Sequence, residues 1–347
     1  MIWGDSFVLG RRPALDGLRA LAVVAVVVEH SLPRQPGSSG TVGVTLFLVL
    51  SGFLITRILL EENANSGHID LRAFINRRFR RLAPALALYL LAIGIASAAT
   101  GVTLAPVLVA GLYVSNVAAA IGMPLLSLGH TWSLAMEEQF YLLWPVALIG
   151  LLRVRKNWAM LLLVGAVVLC GAWRASLAAA AADYPRVAFA PDTRVDALIV
   201  GCVLALMASR LPMRASGGLA AGGAVVMFAA CGVELLEISV ALSPVAVAAA
   251  TVVWWGAIAD VGGYAYRVLT WSPLRWVGTV SYGIYLWHEP FAHFMAMTFT
   301  AWIALPLTFA AALAVATLSW RCIEMPLRSG QPRPAETALV RSPGRNG

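Results

Sequence analysis

Arg19 and His30 stand eleven residues apart in the apolar stretch "ALDGLRALAVVAVVVEHSLP" (14–33). Eleven helical steps return to within ~20° of the same face, so the spacing predicts one stripe carrying both side chains, about 16 Å apart along the axis. Lipid offers no partner for a guanidinium, and two titratable groups on one face of an apolar helix point to a polar path through a bundle. Asp16, three residues before Arg19, is placed to pair with it. In "LGHTWSLAMEEQFYLLWP" (128–145), His130 and Glu137 are seven apart, or two helical turns. They face the same way if the helix runs back through His130. A carboxylate inside an apolar helix needs a partner, and a histidine is a natural one. Glu137 is therefore read as catalytic or substrate-orienting.

"FINRRFRRLAP" (74–84) has four arginines in five positions, read as a basic run entering a helix at Pro84. Arg77 and Arg81 share a face, with Arg78 beside them. Membrane orientation explains arginines here, but not so many. Guanidinium forks grip phosphate bidentately, so a cytoplasmic donor with several phosphates, such as coenzyme A, suits the cluster. Ser51, beside Gly52 in "GVTLFLVLSGFLITRILLEE" (43–62), is read first as helix packing. "PDTRVDALIVG" (191–201) sets Arg194 and Asp196 at the mouth of a helix. "VSYGIYLWHEPFAHF" (280–294) carries Tyr282, Tyr285, His288 and Glu289.

The elements that must position these groups are membrane helices. The chain has 347 residues, 60% hydrophobic and only 12% charged, with mean hydropathy +0.80; a soluble domain is about a quarter charged. Eleven apolar blocks follow one another: 15–32, 42–60, 82–100, 104–122, 133–152, 158–181, 194–209, 218–236, 240–259, 277–297 and 302–320. Arg11 and Arg12, the 72–81 run, "RVRK" (153–156), "RLPMR" (210–214) and Arg267 with Arg275 all fall on the cytoplasmic side only if one block does not span. The block 104–122, flanked by Pro106 and Pro124 and interrupted by Gly111, Asn116 and Gly122, is that block, read as re-entrant or interfacial. The expectation is an all-α membrane protein with about ten transmembrane helices, both termini cytoplasmic, short outer loops that include 34–40 and 183–192, and a disordered cytoplasmic tail over 329–347. The net charge of +8 is then a topology signal and not a sign of nucleic-acid binding. The four cysteines show no metal-ligand spacing and read as small hydrophobes. The first apolar run lacks a small-residue cleavage site, so no cleavable signal peptide is expected.

Together these motifs resemble the acyltransferase-3 family of polytopic membrane O-acyltransferases. Arg19 and His30 match its Arg-x10-His signature. "LFLVLSGFLIT", "RRFRRLAP", "HTWSLAMEEQFYLLWP", "TRVDALIVG", "SYGIYLWHEP" and "IEMPLR" (323–328) look like its other blocks, in family order, so that residues 1–328 form the acyltransferase-like domain. The resemblance implies an acyl group, commonly acetyl, taken from cytoplasmic acyl-CoA as co-substrate and delivered to a hydroxyl. The acceptor is a carbohydrate, a glycolipid or a secreted metabolite, met at the bacterial cytoplasmic membrane, with no bound cofactor or metal. Some relatives carry a fused esterase-like domain. This chain is expected to finish the transfer itself, hand over to a separate extracytoplasmic transferase, or use a smaller acceptor.

Acyl transfer to an alcohol needs a base, an oxyanion site and a grip on the thioester. His30 is the candidate base, or alternatively a residue that is itself acylated and relays the group. Arg19, with Asp16 fixing it, and Arg77, Arg78 and Arg81 are placed on the acyl-CoA. Glu137 with His130 is placed near the reaction, while Ser51, Arg194, Tyr285 and His288 support it or face the acceptor. A proton-coupled transporter or flippase is the competing class, since buried charges and a midplane histidine also fit one. No inverted repeat is visible to support it.

Overall fold

The structure is a computed structural model describing residues 10, 12–32, 38–211, 216–233, 241–258 and 263–329. Arg11, residues 34–37 of the expected outer loop 34–40, residues 212–214 of "RLPMR", the ends 234–236, 240 and 259 of two apolar blocks and the tail from 330 onward lie outside them.

Among the described residues every regular element is helical. In chain order these are α1 (Pro13–Ser31), α2 (Ser39–Ser66), α3 (Leu71–Thr100), α4 (Ala105–Gly111), α5 (Ser115–Ala120), α6 (Thr131–Leu152) and α7 (Lys156–Ala179). There follow α8 (Tyr184–Phe189), α9 (Pro191–Arg194), α10 (Asp196–Met207), α11 (Ser216–Ala230), α12 (Leu242–Ile258), α13 (Tyr264–Leu269) and α14 (Ser272–Thr279). The last are α15 (Ser281–Thr298), α16 (Ala301–Ser319), a π turn (Trp320–Glu324) and α17 (Met325–Ser329). Ten of the eleven apolar blocks each carry one principal helix. Among the described residues, four stretches are long and apolar enough to cross a membrane: α2, α3, α7 and Ala301–Leu327. Their burial separates them. The apolar window of α2 is 78% buried, while those of α3, α7 and the last stretch are 17–22% buried. So α2 is a core helix, and the other three turn most of their apolar surface outward.

Two sequence expectations are altered. The basic run does not enter a helix at Pro84. It is itself helical, because the Asp70 carboxylate caps α3 by accepting the Ala73 N–H at 2.9 Å, and Pro84 lies inside that helix. The block 104–122 is broken into α4 and α5, of seven and six residues; spanning a bilayer takes about 20. The interruption is held by a reciprocal amide pair. Asn116 and Gln139 exchange hydrogen bonds at 2.9 Å, and Gln139 also donates to the Tyr113 carbonyl at 2.8 Å. Tyr113 itself has a φ of 55°, so a side-chain donor takes up the carbonyl that the broken helix leaves over.

Helix α1 is the axis of the site. It packs against α2, α14 and α15, and glycines set how closely. A Cβ at Gly278 of α14 would strike the Asp16 carbonyl, and one at Gly201 of α10 would strike the backbone of Val49 and Phe53 in α2. These backbones meet directly, which only a residue without a side chain allows.

Candidate active site

Two cavities are built around α1. The first, about 440 Å³, is lined by Asp16 and Arg19 from α1, Ser51 from α2, Arg78 and Arg81 from α3, Glu137, Glu138 and Tyr141 from α6, and Tyr282 and Tyr285 from α15, with Arg12 and Glu61 at its walls. Its four arginines meet four carboxylates. Arg19 and Asp16 pair at 3.2 Å, and Arg78 reaches Glu138 at 3.6 Å while its guanidinium lies 3.3 Å from the Tyr141 ring centre. This cation–π seat also positions the Tyr141 hydroxyl, which is hydrogen-bonded to Ser51 Oγ.

The predicted arginine cluster divides here. Arg78 and Arg81 line the cavity, whereas Arg77 lies off it, 44% exposed and paired with Glu62 at 2.8 Å. One residue of helix is a 100° turn, enough to carry Arg77 away from the wall that Arg78 occupies.

The second cavity, about 340 Å³, holds Glu29, His30, His130 and Glu289, with Trp132, Tyr184 and Phe189 as an aromatic wall. Arg19 and His30 thus lie on one helix but open into different cavities. His288 is fully buried beside the cavity's histidines, its ring centre 4.9 Å from that of His30 and 5.1 Å from that of His130. The carboxylate partner of His130 is Glu289 and not Glu137. One Glu289 oxygen accepts both the His130 backbone N–H, at 3.0 Å, and the imidazole at Nδ1. The reason is that α6 starts at Thr131, so His130 sits at the cap, where its free backbone N–H and ring turn together toward α15. Glu137, two turns further on, belongs to the arginine cavity.

The tautomers follow from the partners. A carbonyl or carboxylate can only accept, so Nδ1 must donate in His30 (to the Val26 carbonyl, 2.9 Å), in His288 (to the Tyr285 carbonyl, 2.7 Å) and in His130 (to Glu289). Each neutral imidazole is then left with its lone pair on Nε2, the atom that can take a proton or attack a carbonyl. The Nε2 atoms of His130 and His288 are buried with no hydrogen-bond partner.

The two cavities share Val44 and Tyr285. The Tyr285 O–H donates to the His130 carbonyl at 2.9 Å, which leaves the Ser133 hydroxyl, 2.6 Å away, to donate to the Tyr285 oxygen.

Around the second cavity stand groups that the sequence reading left unassigned. Glu29 accepts the Gly40 N–H at 2.7 Å, tying the end of α1 to the first turn of α2. Arg174, within an apolar run of α7, is fully buried and pairs with Asp196 at 3.0 Å and Ser243 at 2.6 Å. Its signal in the sequence was a lone arginine inside a membrane-length block. Arg194, which the sequence placed at a helix mouth in a supporting or acceptor-side role, is buried near it, 5.0 Å from the centre of the Trp132 ring, and so lies behind the aromatic wall. The Arg186 fork clamps Asp192 at 2.6 and 3.0 Å, and Trp173 Nε1 adds 2.8 Å. Partial burial pushes the Asp192 carboxyl up, but these donors outweigh it and hold it below its ordinary range. The clamp joins α9 to α8, which carries Tyr184 and Phe189.

No group of three or more potential metal ligands occurs among the described residues. Where known proteins are concerned, the family described as an acyltransferase domain matches residues 12–322. The peptidoglycan O-acetyltransferase OatA of Listeria monocytogenes is 34% identical, over 91% of this chain and 56% of that protein. The putative peptidoglycan O-acetyltransferase YrhL of Bacillus subtilis is 35% identical, over 80% of this chain and 48% of that protein. The chain spans about half the length of these curated relatives. No solved structure matches it.

Proposed function

The chain belongs to this acyltransferase family, and from that premise we propose that it is a multi-pass O-acetyltransferase of the bacterial cytoplasmic membrane that passes an acyl group between its two cavities. The donor is acetyl-CoA, entering the arginine cavity from the cytoplasm. The acceptor is a hydroxyl of a peptidoglycan-like glycan, presented to the histidine cavity from the outer side. The observation that carries this reading is the junction itself: an arginine-bearing cavity and an imidazole-bearing cavity share two lining residues, Val44 and Tyr285.

Arg78, Arg81 and Arg19 supply the cations for the nucleotide and its phosphates, with Asp16 fixing Arg19. The thioester lies at the junction. His30 Nε2 takes the proton of the acceptor hydroxyl as its oxygen attacks the thioester carbonyl. The C–O bond forms, the C–S bond breaks, and the leaving thiolate takes the proton from the His30 imidazolium, which gives free CoA and restores the neutral imidazole. Glu289, facing the three-imidazole cluster, supplies the negative charge that stabilises the imidazolium formed in this step. Glu137 serves the donor side, where Ser51 and Arg78 also stand. Trp132, Tyr184 and Phe189 offer the apolar faces on which sugar rings stack. Membership of an acyltransferase family favours this over the transporter reading.

The test is purified full-length protein given acetyl-CoA with chitopentaose as the acceptor probe. Free thiol is expected to appear only with the sugar, in step with O-acetyl groups found on it by mass spectrometry. Absence of sugar-dependent thiol release contradicts the proposal.

A further inference from the structure

If acyl groups pass between the cavities, the junction decides which ones pass. We propose that Val44 and Tyr285 form an aperture that sets acyl length, admitting two-carbon groups and rejecting longer ones. The inference rests on the donor reading above.

Both walls of the junction are stiff. Val44 is buried in α2, and a β-branched side chain in a helix is held almost wholly to one χ1 rotamer. Its helix is the core helix of the bundle, set by glycine contacts, so the wall cannot retreat by moving backbone. The other shared residue, Tyr285, has its ring fixed at the hydroxyl end by the His130 carbonyl and Ser133, and Phe47 stands edge-on with its ring centre 6.2 Å away. A ring tied at the hydroxyl and packed at the edge does not swing aside for a longer chain without breaking those bonds. Tyr285 is thereby a positioning residue as well, because the carbonyl it holds belongs to His130, whose imidazole is held by Glu289. Width at the junction and placement of the imidazole are coupled.

The experiment measures kcat/KM for acetyl-, propionyl- and butyryl-CoA by thiol release, with chitopentaose as acceptor, in the full-length protein and two variants. A rigid apolar site discriminates one methylene by roughly 10- to 200-fold. V44A is expected to raise the butyryl/acetyl ratio at least about tenfold, and V44I to lower the propionyl/acetyl ratio about as much. These ratios do not depend on the fraction of protein that folds, so partial misfolding of either variant leaves them readable. Ratios equal to the wild type in both variants overturn the aperture while leaving the donor reading in place. A wild type that turns over none of the three thioesters overturns the donor reading, and the aperture falls with it.

Discussion

Glu289 grips His130 twice, at its backbone N–H and at its imidazole Nδ1, from 159 residues away. The first bond fixes where α6 begins; the second fixes which imidazole nitrogen keeps a lone pair. One carboxylate therefore sets both the placement and the tautomer of a buried histidine, and that histidine stands at ring contact with His288, which in turn contacts His30.

This relationship separates charge from shape. Glu289→Gln keeps an oxygen for the two donors and loses the negative charge. It is expected to lower kcat by about 10- to 100-fold with little change in the KM for acetyl-CoA. Glu289→Ala, which loses the placement as well, should lose more. Equal kcat in wild type and Glu289→Gln would show that the carboxylate only places the helix.

The arginines offer a direct comparison of neighbours. Arg78→Ala should raise the KM for acetyl-CoA about tenfold, the effect of losing one charge-assisted hydrogen bond of ~1.5 kcal/mol, and Arg81→Ala should act the same way. Arg77→Ala should leave it within about twofold, since exposed ion pairs contribute little. An equal rise in all three would mean that the run acts through its overall charge and not through the cavity wall.

Asp192 predicts an effect on the acceptor side alone. Asp192→Asn weakens the clamp between α8 and α9, so the KM for chitopentaose should rise while that for acetyl-CoA holds, and amide exchange over 184–190 should speed up. The carboxyl is held below its ordinary range, so the clamp is fully present above the unfolded aspartate pKa of ~3.9. It is lost as pH falls through the lower folded value. Wild-type protection over 184–190, taken relative to the intrinsic exchange rate at each pH, should accordingly fall only below that range, and a variant indistinguishable from wild type at neutral pH would remove the clamp's role.

Packing at the glycines is a further check. Gly201→Ala forces a methyl group into the α2 backbone at Val49 and Phe53 and should cost about 1–3 kcal/mol. The expected readout is a lower thermal unfolding midpoint for the purified protein. An unchanged midpoint would show that α2 and α10 can separate without loss.

How far the sequence reaches is visible in these same residues. Apolar blocks and their punctuation reported the helices, because lipid-length hydrophobic runs and Gly, Pro and Asn breaks are local properties. The eleven-residue spacing of Arg19 and His30 pointed to a single polar path, whereas the structure keeps both on α1 and opens them into different cavities, a division made by packing that helical phase does not report. The partner of His130 was not legible. Helical phase proposed Glu137, seven residues away, whereas His130 sits at the cap of α6 and both its backbone N–H and its ring meet a carboxylate on α15. Arg77 and Arg78 could not be ranked either, since which face of α3 meets the cavity is decided by packing against α6 and α15. Glu29 and Arg174 were visible only as charges in apolar surroundings, a signal of importance without a role.

Transfer from one cavity to the other implies a donor and an acceptor on opposite sides of the membrane. Proteoliposomes would be sealed with chitopentaose inside and given acetyl-CoA outside only. O-acetylated chitopentaose is expected within the vesicles, and not with His30→Ala, which should lose about 10²- to 10⁴-fold in rate. Matching free thiol is expected outside. Acetylation that occurs only when donor and sugar share a compartment, or that persists in His30→Ala, would overturn transfer between the two cavities.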